Sequence, residues 1–230
     1  MVKMRQLPLV ALFLLITVTG KAQVKKQSFA LKNTDRLLPV NVVMRAEEYL
    51  GKPSVKVLDT AQGVTSEVKY ARLKDIAFQN GVIEVEIAGK PAGNAFEAAR
   101  GFVGIAFRIN EDDSRFECIY LRPTNGRAED QVRRNHSVQY ISYPDFPWHK
   151  TRKETPEKYE SYVDLVAGEW TKIRIEVQGE KARLYVHGAS QPTLLVNDLK
   201  HNPGQPGSIG LWIGSGTEAH FTNLTVTESK

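Results

Sequence analysis

The 230-residue chain holds one cysteine, Cys118, so no disulfide can form within it. It has no apolar run long enough to cross a bilayer. The stretch from Leu7 to Val18 falls short of the roughly 20 residues that a spanning helix needs. Charge of one sign is also scarce. The 31 basic residues outnumber the 26 acidic ones by five, and Lys3, Arg5 and Lys21 stand in the first 22 positions, where there is no acid. Residues 23–230 therefore carry a net charge of only +2, too dispersed for a nucleic-acid interface, which needs a concentrated basic stripe. No stretch after residue 22 keeps a helical period over three turns, and no internal repeat stands out, which excludes a helical bundle or a solenoid.

What is present begins at the N-terminus. Lys3 and Arg5 precede the apolar run, and Gly20-Lys21-Ala22 closes it with a small-x-small pattern. This is the layout of a removed signal peptide. The next residue is Gln23 rather than Cys, which speaks against a lipoprotein anchor. We expect residues 1–22 to be cleaved and residues 23–230 to form one domain, periplasmic or secreted from a bacterial cell, with no membrane contact after cleavage. Cys118 lies on an apolar strand and reads as a buried thiol.

Strand signals fill the rest. Gln23 to Asp35 reads as a leader or edge segment, Val40 to Tyr49 as a strand, and Val55 to Leu58 as its return after the turn at Gly51-Lys52-Pro53-Ser54. Asp59 to Val64 reads as a loop. Ile83, Val85 and Ile87 alternate with Glu84 and Glu86, which means one buried and one wet face. Val103, Ile105, Phe107 and Ile109 share a parity, and the strand at Phe116 pairs back through the turn at Asn110 to Ser114. Ala95 to Arg100 reads as a single helical turn within a loop. Further strands are expected at Val138–Ser142, Trp170–Val177, Ala182–His187, Thr193–Val196, Ile209–Ile213 and Ala219–Thr227. Many short strands with regular turns predict an all-β fold, a jelly-roll β-sandwich of two antiparallel sheets.

Five segments carry a resemblance: Gly101-Phe102-Val103-Gly104-Ile105-Ala106-Phe107-Arg108, Gly168-Glu169-Trp170-Thr171-Lys172-Ile173-Arg174-Ile175, Ala182-Arg183-Leu184-Tyr185-Val186-His187-Gly188, Gly207-Ser208-Ile209-Gly210-Leu211-Trp212-Ile213-Gly214 and Phe221-Thr222-Asn223-Leu224. In this order they resemble the concanavalin A-like lectin/glucanase superfamily, and within it the laminin G-like and bacterial 3-keto-disaccharide hydrolase-type jelly rolls. The resemblance spans Ile83 to Val226. It implies a sandwich whose concave face is the ligand surface, on a fold that hosts lectins, glycosidases and lyases alike. The three-acid strand pattern of the laminarinase-type members is missing, because Glu84-Val85-Glu86 lacks the third carboxylate. Ala99-Arg100-Gly101 stands where the hydrolase-type relatives tend to carry Asn-Ser-Gly.

Chemistry concentrates between Phe116 and Trp170. If Val103, Ile105 and Phe107 face the core, Arg108 lies on the opposite face together with Tyr120 and Arg122. Between two strands stand Asn125, Arg127, Asp130, Arg133, Arg134 and His136. Arginine offers a planar fork to carboxylates and hydroxyls. Asp and Asn suit vicinal diols, and His136 suits proton transfer near neutral pH. Asp130 with Asn125 or Glu129 could offer oxygens to calcium, but no spaced acidic motif backs a metal site, and no cofactor is expected. Tyr140, Tyr143 and Trp148 supply rings on which sugars stack. Trp170 and Trp212 sit at strand positions and are expected in the core.

The preferred reading is a carbohydrate-binding domain with Arg108, Tyr120, Arg122, Asn125, Arg127, Arg133, Arg134, Tyr143 and Trp148 toward the glycan. One alternative is a glycan-acting hydrolase or lyase with His136, Asp130 or Tyr140 moving protons. Another is a protein–protein adhesion domain.

Overall fold

A computed structural model describes residues 25–59, 66–93, 95–201 and 204–229. The strands are β1 (Lys25–Phe29), β2 (Leu37–Val40), β3 (Val42–Tyr49), β4 (Lys52–Asp59), β5 (Tyr70–Leu73), β6 (Gly81–Pro91), β7 (Val103–Ile109) and β8 (Phe116–Leu121). They continue as β9 (Val138–Tyr143), β10 (Glu160–Ser161), β11 (Thr171–Gln178), β12 (Lys181–Val186), β13 (Leu194–Val196), β14 (Ser208–Ile213) and β15 (Thr217–Glu228). Two short helices, α1 (Gln131–Asn135) and α2 (Trp148–Glu154), interrupt them. Residues 1–22, expected to be a signal peptide, lie outside the described residues, as does the loop over 60–64.

The strands form two antiparallel sheets. The first runs β13-β12-β11-β6-β15-β4-β3, with β1 pairing along the far half of β15. The second runs β10-β9-β8-β7-β14-β5-β2. This is the jelly-roll sandwich that the strand pattern predicts, and its fold is concanavalin A-like. Between the sheets lies the main core, in which Ile83, Val85 and Ile87 of β6 meet Ile105 and Phe107 of β7 and Leu211 of β14. Burying a side chain of this size contributes about 1.5–3 kcal/mol.

The two sheets differ on their outer faces. In the first, β6 and β11 alternate buried with exposed or half-exposed positions, and Glu86 meets Lys52 and Asn223 on the wet side. In the second, every residue of β7 and β8 is buried. A second apolar cluster explains this. Tyr70, Ala106, Phe116, Cys118, Tyr120, Ile141 and Trp212 pack on the outer face of this sheet. A sheet buried on both faces needs a cover, and here the cover comes from the segments around residues 95–102 and 143–154.

Gly104 lets the outer cluster close. It pairs with Tyr120 on one side and Trp212 on the other. A Cβ at this position would lie 2.3 Å from the Ile119 carbonyl oxygen and 2.5 Å from the Tyr120 Cα. Without it, the Tyr120 and Trp212 rings approach to 4.7 Å between centroids.

Several expectations are corrected. Ile109 does not share the core parity of Phe107. The register slips between Ser208 and Gly210 opposite β7, and Arg108 adopts a left-handed φ of 52°. That bulge moves Ile109 to the outer cluster. Residues 95–100 form a turn closed by the Ala99 N–H and the Phe96 carbonyl rather than a helical turn. The segments read as loop contain α1, α2 and a 3-10 turn at Pro123–Asn125. Trp170 is half-buried, edge-on to Tyr49 at 5.7 Å. Cys118 is a buried free thiol, and burial pushes its pKa well above the ordinary value.

Candidate functional site

The cover over the second sheet does not fill the space beneath it. A cavity of about 630 Å³ remains. Tyr120 of β8 and Trp212 of β14 line it from the strands. Phe96, Arg100 and Phe102 form one side, and Asn125, Arg133 and His136 form another. Trp148 and Arg152 contribute from α2, and Glu67 from the segment before β5.

Each of these side chains is placed by local structure. Asp130 accepts from the Arg133 N–H and so caps α1, which fixes Arg133 and brings the chain back at His136. Pro147 stands just before α2, and its carbonyl accepts from the Lys150 and Thr151 N–H groups. Trp148 therefore opens the helix and is 38% exposed. The Arg152 guanidinium lies 4.9 Å from the Trp148 ring centre and that of Arg122 lies 5.9 Å away, so two cations lie against the indole.

Arg122 organises the floor. It is 4% exposed and donates to Tyr120 Oη at 3.0 Å, Gln139 Oε1 at 2.9 Å, the His136 carbonyl at 3.1 Å and Glu160 Oε1 at 3.1 Å. Glu160, its side chain 3% exposed, also receives Arg152. His136 Nδ1 lies 2.9 Å from Glu160 Oε2. Burial pushes the Glu160 carboxyl up. The Arg152 bond and the charges of Arg152, Arg122 and His136 outweigh that and hold it below the usual range. His136 moves the other way. Burial lowers it, Glu160 opposes, and the two arginines add to the lowering, so the ring is neutral at pH 7.

Two groups in the cavity lack complements. Asn125 is 4% exposed, its Nδ2 donates to the His136 carbonyl at 3.1 Å, and its Oδ1 has no partner. Glu67 has its carbonyl engaged by the Trp212 indole N–H at 2.7 Å. Among the described residues no side chain hydrogen-bonds its carboxyl. Burial raises the pKa of that carboxyl, against the charges of Arg122 and Lys69. Behind the arginines Glu160 is thus held toward its ionised form, while Glu67 in the cavity wall is pushed toward protonation.

Of the residues singled out from the sequence, Tyr120, Arg122, Asn125, Arg133, His136 and Trp148 line the cavity. The others lie elsewhere. Arg108 reaches across to the first sheet and donates to the carbonyls of Gln79 and Gly179, because its left-handed backbone turns it out of the outer face. Tyr140 is fully buried in the core between the sheets, where its hydroxyl donates to Glu117 Oε2 at 2.7 Å. Arg127 pairs with Asp164 at the surface. Arg134 stacks on Tyr162. Tyr143 stacks on Phe116 within the outer cluster. Asp130 serves as the helix cap.

Sequence reasoning missed Glu67, Phe96, Arg100, Phe102, Arg152 and Glu160; Trp212 is buried as expected, in the outer cluster, and also lines the cavity. For two of these a signal exists. Ile209, Leu211 and Ile213 share the core parity, which puts Trp212 on the outer face, and Val103 does the same for Phe102. Nothing in the sequence distinguishes Glu160 from the neighbouring Glu154 and Glu157.

The fold is shared with proteins of known structure. A carbohydrate-binding module, CBM66 from Bacillus subtilis, superposes with a TM-score of 0.51 at 11% identity, over 83% of this chain and 95% of the module. Domain 4 of AbnA, a GH43 extracellular arabinanase from Geobacillus stearothermophilus solved with arabinotriose, gives 0.51 at 11% identity over 91% and 94%. A putative glycosyl hydrolase from Parabacteroides distasonis gives 0.52 at 14% identity over 89% and 99%. No family model matches the sequence, and no curated protein matches it. At these identities the likeness defines the class of fold, a concanavalin A-like sandwich, and the cavity must speak for the chemistry.

Proposed function

We propose that the chain is an exported bacterial carbohydrate-binding domain that holds a glycan in the covered cavity on the concave face of the second sheet. The observation that carries this reading is the composition of the cavity. It joins a half-exposed indole plane, Trp148, to an unpaired buried acceptor, Asn125 Oδ1. A sugar ring has apolar C–H faces that stack on an indole, and hydroxyls that donate to such an acceptor. The carbohydrate-binding module and the arabinanase domain solved with arabinotriose among the structural neighbours agree with it. Calorimetry and a glycan array on residues 23–230 test it. Trp148→Ala and Asn125→Ala should each weaken binding by on the order of tenfold. Wild-type protein that binds no glycan, or Trp148→Ala that binds as wild type, refutes it.

A second reading is favoured by the two carboxyls. Paired acids whose environments drive their pKa values apart are what glycoside cleavage uses, one as proton donor and one as a charged partner. In this reading Glu67 donates the proton. Incubation with glycans and with 3-keto-glycosides decides the point. Turnover lost in Glu67→Gln with binding retained would establish an enzyme, and the absence of turnover on every substrate class leaves the binding domain.

A further inference from the structure

We infer that the glycan is acidic, carrying a carboxylate or a sulfate ester that sits between Arg100 and Arg133; this rests on the carbohydrate-binding reading above. The argument is a charge balance within the cavity. Four guanidinium groups line it, those of Arg100, Arg122, Arg133 and Arg152, against one carboxyl, Glu67, with Glu160 buried behind the arginines. Arg122 and Arg152 both bind Glu160. The charges that act on Glu67 are those of Arg122 and Lys69.

Arg100 and Arg133 remain. Arg100 Nη1 donates only to main-chain oxygens, the carbonyls of Glu97 at 2.7 Å and Ala99 at 3.0 Å. Glu97 lies close enough to act on Arg100 through its charge, but it is exposed and makes no ion pair with it among the described residues. The Arg133 side chain has no hydrogen bond or ion pair among the described residues. The two arginines also act on one another, since burial and the Arg133 charge together lower the Arg100 pKa. Two like charges facing one space repel, and an anion placed between them removes the repulsion while giving both forks a planar or tripodal acceptor. A neutral sugar would leave that repulsion in place.

The probes are oligogalacturonate, O-sulfated galactan oligosaccharides and neutral galactan oligosaccharides of matched length, titrated calorimetrically at low and high ionic strength. The expected result is that at least one acidic series binds about tenfold or more tightly than the neutral series. Whichever acidic series binds identifies the anion as carboxylate or sulfate. The preference should shrink as salt rises, because a partly exposed pair is screened within about 8 Å at physiological ionic strength. Arg133→Gln, at an exposed position, should abolish the preference. Arg100→Gln should do the same, with its circular dichroism and melting curve confirming that it folds. If neutral oligosaccharides bind as well as acidic ones, or if the Arg133→Gln and Arg100→Gln double variant keeps the preference, the inference fails while the carbohydrate reading stands. If no series binds, both fail together.

Discussion

Replacing Glu160 by Gln tests whether the floor of the cavity is held by charge. Glu160 is the one acid that Arg122 pairs with among the described residues, and Arg122 is 4% exposed. Glutamine keeps the volume and one carbonyl oxygen but removes the charge. Arg122 would keep its bonds to Tyr120, Gln139 and the His136 carbonyl, so its N–H groups stay largely satisfied while its charge loses compensation. Breaking a buried pair by removing one partner costs about 3–5 kcal/mol. The half-exposed Arg152 can rehydrate, which places this case at the low end, about 3 kcal/mol. For a chain of this length that lowers the melting temperature by roughly 6–12 °C. The pH profile should change as well. A carboxylate lowered in the folded state contributes stability that is present above its unfolded value of 4.5 and is lost as pH falls through the folded value. His136 acts in the same direction at higher pH. Its folded pKa lies below the model-compound value of 6.5, so the unfolded chain takes up the proton first and stability falls as pH drops below about 6.5. Wild type should therefore lose stability on acidification in two stages, and in Glu160→Gln the lower one should shrink to what other lowered carboxyls such as Asp198 and Glu218 supply. Its His136 should also titrate further down, because the group that opposed the lowering has gone. Melting curves from pH 3 to 8 and the His136 ring resonances by NMR read both effects. A variant as stable as wild type, with an unchanged acid limb, would refute the reasoning.

Three further outcomes follow from the packing. Gly104→Ala should cost about 1–3 kcal/mol, since its Cβ would meet the main chain of β8 rather than a movable side chain; a chemical denaturation curve that superposes on wild type would contradict the close approach. Tyr140→Phe should cost about 1–3 kcal/mol by removing the hydroxyl that serves fully buried Glu117 and accepts from the Lys200 N–H. Glycan affinity and any turnover should be unchanged in this variant, and a loss of either would return Tyr140 to the site. Cys118 should resist a thiol reagent in the native state and react only on unfolding, because the thiol is buried and its pKa is raised; rapid native labelling would contradict its burial.

The sandwich was legible where one sheet face meets water. In β6 and β11, apolar and charged residues alternate because Ile83 and Ile175 face the core while Glu84 and Arg174 do not. The pattern fails where that condition fails. Along β8, Cys118 and Tyr120 alternate with Ile119 and Leu121, and all four are apolar because the outer face is covered too. β5 escaped notice because four residues are too few to show a period. α2 escaped for a similar reason, since seven residues make barely two turns. Arg108 was misplaced by one backbone angle, a left-handed φ at a non-glycine residue that parity counting does not see.

The cavity poses a different problem, because its members are far apart in the chain. Glu67, Arg100, Arg122 and His136, with Glu160 against Arg122, converge only after β5, β7, β8, β9 and β10 have paired. Their types were visible, but no spacing linked them. Even so, the absence of alternation in β7 and β8 carries information. An antiparallel strand that is apolar on both sides, carrying Tyr120 and paired through β7 with a strand carrying Trp212 on its non-core parity, must be covered by chain from elsewhere. That chain is the segment before β7, around residues 95–102, and the one that follows β9. The cover and the cavity under it thus have the same origin, an apolar outer face too large for two short helices to fill, and the charged residues line the gap that remains.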